Sequence, residues 1–205
     1  MESTTQTNAA KTTSATFLQN LRSATDHQHK QLETAKLSIS LMDEKASLQD
    51  YVNYLAAMEQ VVMFTESTIF PIVKEIMTDL AERKKLASIQ KDLAVLPANA
   101  NSLNNKAFQP LEGNISLPFA LGYMYVVEGS SLGGRVILKH LQPKIGVDEN
   151  NGASYFAGYK EETGKYWKFF LSNFTSYVVL SNCEAEVIEG AKHAFNSIYE
   201  YFESV

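Results

Sequence analysis

Residues 123–137 read YMYVVEGSSLGGRVI. Apolar side chains recur at helical spacing on both sides, yet Gly129, Gly133 and Gly134 sit in the middle, where each glycine costs about 1 kcal/mol relative to alanine. Glycines one turn apart clear side chains from one helix face, which admits either a second backbone or a flat ligand. Working outward, Pro118 suits a first helical turn, while Pro143 and Gly146 end the pattern near Leu141. A helix over 118–141 with one bare face is expected.

The flanking segments are helical too. From Phe17 to about Ala35, Leu18, Leu21, Thr25, His29 and Leu32 recur at steps of three and four. Ser47 to Asp50 reads as the start of a helix running through YVNYLAAMEQVVMFTESTIF, and Pro71 is expected to restart the chain as a helix to about Leu96. A connection rich in Asn, Ser, Gly and Pro follows between Pro97 and Pro118, and two further helical patterns span 160–180 and 184–204. No strand-type alternation is sustained and no repeat occurs, so the fold class is all-α, a single-domain multi-helix bundle. Residues 1–14 carry almost no large apolar side chain and are expected to be a disordered tail before a domain over 15–205.

Composition narrows the function. The chain has 205 residues, enough for one full core, and a formal charge of −5, which argues against a general nucleic-acid binder. One cysteine, Cys183, leaves no internal disulfide and no Cys-based zinc site. The N-terminus lacks a secretory pattern and no segment approaches a membrane span, so a cytoplasmic protein is expected.

Two of the four histidines lie in SATDHQHKQLE. At about 100° per residue, His29 lies about 20° round the helix from Leu18 and His27 about 180° away, so only His29 shares the apolar stripe. Arg22 and Glu33 fall near the same stripe. Two readings of His29 stay open on this pattern: a core histidine satisfied by Glu33, or a metal ligand whose other ring nitrogen Glu33 orients. An imidazole on one helix facing a side-chain-free surface on another describes a slot for a planar metallated ring, and haem fits it. His27 is expected to be exposed, and His140 and His193 to lie on solvated faces. Tyr123, Tyr125 and Trp167 read as core aromatics.

LRSATDHQHKQLE at 21–33 resembles the proximal helix of haem oxygenases, and YVVEGSSLGGRVI at 125–137 resembles their distal helix in its bacterial form. FAGYKEETGKYWKFF at 156–170 and VIEGAKHAF at 187–195 are similar to later segments of the bacterial members, in the same order along residues 16–204. The resemblance implies a haem-oxygenase-like helical fold and oxidative cleavage of haem to biliverdin with release of iron and carbon monoxide. It implies haem as substrate and cofactor, His29 as the iron ligand, and Glu33 as its acidic neighbour. It also implies Gly129 and Gly133 as backbone over the ring, and Phe195 as a phenylalanine of the distal pocket. O2 and an external electron donor, a reductase or ferredoxin, follow as partners.

The sequence departs from the family pattern at two places. Ser130 stands where mammalian members carry an aspartate that serves proton delivery, and a serine hydroxyl is a poor acid at neutral pH. Of the cations that hold the haem propionates, Arg22 matches, the next position is Asp26, and the later positions fall on Trp167 and Leu171, so Lys168 or Lys165 is expected to substitute. Glu128 is expected to be buried against a basic partner such as Arg135. Ser130 also motivates an alternative, a haem carrier or sensor that does not degrade the ring. A third reading keeps only the fold, as in thiaminase-like relatives, although Cys183 has no evident base beside it.

Overall fold

The structure, a computed structural model, describes residues 2–97 and 106–205, with side chains described from Ser14 onward. Its helices are α1 (Glu2–Glu33), α2 (Lys36–Met42), α3 (Leu48–Phe64), α4 (Phe70–Val73), α5 (Leu80–Arg83) and α6 (Leu86–Val95), then α7 (Leu117–Ile145), α8 (Ser154–Ala157), α9 (Thr163–Ser181) and α10 (Glu184–Ser204). Among the described residues the only strand-like pairing is isolated, between Asp148 and Asn151 or Gly152. The side chains of the tail expected over residues 1–14 lie outside the described residues, apart from half-buried Ser14.

Local signals explain most boundaries. Ser47 accepts from the Asp50 amide while the Asp50 carboxylate accepts from the Ser47 amide, a reciprocal cap that starts α3. Ser116 caps α7 by accepting from the Phe119 amide, and Gly146 ends it at φ 72°, a left-handed conformation that glycine adopts without strain. Pro143 lies inside the last turn of α7 instead of ending it.

The expected restart at Pro71 does not occur. α3 runs through a π-helical segment, Thr65–Ile69, into α4, with Pro71 accommodated in the first turn of α4. The helix expected over 71–96 is instead broken into α4, α5 and α6. Glu66 supplies the reason: its Oε1 accepts from the Lys85 and Leu86 amides at 2.6 and 2.9 Å, so the start of α6 is capped by a side chain from the π segment.

α7 is the central element and α10 packs along it. The two backbones approach so closely that a Cβ on Gly122 would lie 1.9 Å from the Val187 carbonyl oxygen, and one on Gly190 would lie 2.1 Å from that of Phe119. Gly122→Ala is therefore expected to destabilise the fold by about 3 kcal/mol through overpacking against backbone. That corresponds to a fall in Tm of roughly 10 °C for a chain of this size, read by thermal unfolding.

Around this pair α1 lies against α10 and α9, and α3 against α6. Leu21, Tyr51, Leu55, Leu121, Tyr123, Phe170 and Phe174 are fully buried between them. Phe170 and Phe174 stack at 5.3 Å, and Phe174 meets Phe17 of α1 at 5.4 Å, which fastens α9 to α1. The apolar stripe of α1 is thus spent on the core as far as Thr25, 3% exposed. From Arg22 to Glu33 the same helix also borders an open cleft.

Candidate functional site

The cleft has a volume of about 700 Å³, within the range of roughly 300–1,000 Å³ typical of cofactor sites. α1 contributes Arg22, Asp26, His29 and Glu33, and α7 faces it with Gly129, Ser130, Leu132, Gly133 and Val136. Tyr54 and Met58 of α3, Leu41 of α2, and Ile198 and Phe202 of α10 close the inner end. Burial pushes the Tyr54 phenol up to about 12, so this wall stays neutral.

His29 is not a core histidine. Its side chain is 58% exposed and opens into the cleft, with Nδ1 3.6 Å from Glu33 Oε1. That separation exceeds a hydrogen bond, and it places the carboxylate on the Nδ1 side of the ring. Nε2 has no hydrogen-bond partner among the described residues. The ring of Phe195 meets the imidazole edge-on, centroids 5.5 Å apart at 80°, and limits how it can turn. Phe195, expected on the glycine side, is thus placed against the imidazole instead.

The glycines of α7 divide between the two uses that their spacing allows. At Gly134 a Cβ would stand 3.0 Å from the Phe156 carbonyl oxygen, so this glycine serves the packing of α8. At Gly133 nothing lies within 4 Å, and the bare backbone faces open space in the cleft. A Cβ at Gly129 would lie 3.5 Å from Cη2 of Trp167. Trp167 and Tyr125, read from sequence as core aromatics, both line the cleft, whereas Tyr123 is fully buried as expected.

Two of the expected charged groups need correction. Lys168 is exposed on α9 and does not line the cleft; it lies one residue, about 100°, round from Trp167. Lys165 is exposed and pairs with Glu162. Among the described residues Arg22 is the one Lys or Arg side chain in the lining, and Asp26 beside it pairs with Lys30 at 2.7 Å.

Glu128 is buried as expected, at 3% exposure, but not against Arg135, which donates to the Lys160 carbonyl oxygen. Its partners are Arg83 at 2.6 Å, Tyr159 at 2.7 Å and Lys85 at 3.2 Å. Burial pushes the Lys85 ammonium down, with Glu128 opposing the shift, and pushes the Tyr159 phenol up, with Glu128 adding to it. His140 and His193 are half-buried and each bonds a backbone carbonyl, of Asp43 at 3.1 Å and Pro110 at 2.9 Å, instead of lying free on a solvated face. His27 is exposed as expected.

The residues fit a flat, metal-bearing macrocycle with an acidic edge. No three His, Cys, Asp or Glu side chains converge among the described residues, so a metal held by His29 would need its other ligands from outside the protein. The lining combines bare backbone, Trp167, Phe195 and aliphatic side chains with one guanidinium, Arg22, and the carboxylates of Asp26 and Glu33.

Residues 15–204 match the family model described as Heme oxygenase. The chain belongs to the haem oxygenase family. Heme oxygenase PigA of Pseudomonas aeruginosa is 26% identical over 199 residues, covering 90% of this chain and 93% of PigA. The fold is that of solved haem oxygenases. The NO- and CO-bound haem oxygenase of Neisseria meningitidis superposes with a TM-score of 0.71 at 21% identity, covering 92% of this chain and 93% of the other. The enzyme of Leptospira interrogans gives 0.72 at 14% identity, covering 92% and 99%. The all-α expectation therefore holds, and haem is the ligand class of the family. Among the described residues no haem oxygenase helix here is long and apolar enough to cross a membrane.

Proposed function

We propose that this haem oxygenase cleaves haem oxidatively to biliverdin, releasing iron and carbon monoxide, in a cleft where His29 holds the iron. The observation that carries this reading is the pairing across the cleft: an imidazole with a free Nε2 on α1 opposite the open backbone at Gly133 on α7. When bound, haem supplies both the iron that activates O2 and the carbon skeleton that is oxidised.

The chain's residues bind, orient and exclude. Glu33 favours the proton on His29 Nδ1 and so leaves the Nε2 lone pair for the metal. Arg22 offers its guanidinium to a carboxylate at the rim. Gly129 and Gly133 leave room for a small diatomic molecule next to backbone, and Trp167 bounds that room on the side of Gly129. Ser130 Oγ donates its proton to the Val127 carbonyl oxygen at 2.7 Å. The buried Tyr155 phenol is a further partner of this hydroxyl, so Ser130 is held by the protein and is not itself the acid. Electrons come from a separate reductase or ferredoxin, and the protein works in the cytoplasm.

That engagement of Ser130 also favours a second reading, a haem-binding carrier or sensor. Haem-loaded protein given reductant and O2 distinguishes the two. Loss of the Soret band with appearance of a bilin, identified by chromatography, is expected; a Soret band that persists through repeated reduction supports the carrier.

A further inference from the structure

We propose that Arg83 is a positioning residue that fixes the gap between Gly129 and Trp167, the backbone and the ring that frame the glycine side of the cleft. Its side chain is fully buried, and each of its three nitrogens is engaged. Nη1 donates to Glu128 Oε1 at 2.6 Å, and Nη2 donates to the Tyr166 carbonyl oxygen at 3.1 Å. Nε and Nη2 also donate to the two oxygens of Asp79, at 2.8 and 2.7 Å, which fixes the plane of the group.

Glu128 is the residue before Gly129, and Tyr166 is the residue before Trp167. One rigid planar cation therefore grips α7 and α9 next to two residues so placed that a Cβ on Gly129 would lie 3.5 Å from Trp167 Cη2. A neutral apolar pair could fill the same volume, and buried ion pairs are weak sources of net stability. What an apolar pair would not supply is a directional bond to the backbone of α9 together with one to α7. Lys85 and Tyr159 hold Glu128 from its other sides, so movement of Arg83 cannot be absorbed by a swing of the carboxylate.

The consequence for turnover rests on the haem reading above, but the positioning does not. Trp167 is the only tryptophan in the chain, so intrinsic fluorescence of the ligand-free protein reports its surroundings directly. Arg83→Lys keeps the charge but cannot reach Glu128, Asp79 and the Tyr166 carbonyl at once. In that variant Trp167 emission is expected to shift to the red and acrylamide quenching to increase. In the haem-loaded variant, turnover is expected to fall by about 10²-fold, the cost of a misplacement near 1 Å. The ratio of product isomers should change, while haem affinity holds.

Glu128→Gln, which weakens only the α7 side of the grip, is expected to show the same fluorescence changes to a smaller degree and serves where Arg83→Lys does not fold. Tyr51→Phe, which removes a buried bond to the Gly152 carbonyl outside the cleft, sets the baseline for a lowered Tm with unchanged emission. Wild-type emission and quenching in the folded variant, whatever its Tm, would overturn the proposal. Because the fluorescence arm needs no haem, a protein that fails to bind haem leaves it intact, and a protein that binds haem normally leaves it equally open to refutation.

Discussion

His29→Ala is expected to remain folded and to lose the Soret shift of an imidazole-ligated haem, with turnover lower by three orders of magnitude or more, about 4 kcal/mol of barrier. Folding survives because the side chain is 58% exposed and its nearest neighbours are a solvated carboxylate and the edge of Phe195. No buried partner is left unsatisfied, so the large penalty of an orphaned polar group does not arise. The open position also predicts rescue: free imidazole should enter the space vacated by the ring and restore part of the spectrum. Glu33→Gln separates ligand from orienting group. At 3.6 Å and 67% exposure the carboxylate acts weakly on Nδ1, so its loss is expected at or below the low end, about tenfold, of what groups that orient a ligand contribute. Equal losses in the two variants would show that His29 does not hold the iron.

The candidate site was legible where chemistry and helical period coincide. His29 falls on the stripe of Leu18, Leu21 and Thr25, and the stripe continues past the end of the core into the cleft, so the period that buries Leu21 also aims the imidazole. The glycines announced a bare face, but spacing alone could not divide it. Gly134 meets the Phe156 backbone and Gly133 meets nothing, a difference set by where α8 crosses α7.

The ionic cluster was illegible for a different reason. AERKKLAS at 81–88 falls inside the helix expected over 71–96 and carries a run of charged residues, yet it contains Arg83, among the largest fully buried side chains. The signal lay in α7, where Glu128 interrupts a buried apolar run and requires a cation. Arg135 shares the face but lies about 10 Å along the axis, too far for an ion pair, so the cation had to come from another element. The broken helix over 71–96 has the same origin, because Glu66 and Glu128 draw Arg83, Lys85 and the start of α6 out of one continuous helix. α2 escaped because seven residues, KLSISLM, are too few to establish a period.

Gly133→Leu is expected to leave the ligand-free protein as stable as the wild type or more so, while haem affinity falls by at least about 10²-fold, near 3 kcal/mol of overpacking. The two effects have opposite signs because the same position is empty in one state and filled in the other. Without ligand, a Cβ at 133 meets no atom within 4 Å, and replacing glycine in a helix interior with leucine gains about 0.8 kcal/mol. With a macrocycle against α7, that space is gone, and a leucine must displace either the ring or the small molecule above it. Gly133→Ala, with one methyl group, should bind haem and lose turnover more than affinity, since it crowds the diatomic before it crowds the ring. Set beside Gly122→Ala, whose Cβ would strike the Val187 backbone, the comparison tells whether a glycine on α7 serves the fold or the site. Thermal unfolding should drop for the variant at 122 and hold for the variant at 133, and haem titration should fail only at 133. A Gly133→Leu protein that binds haem and turns over normally would place the ligand elsewhere than against this face.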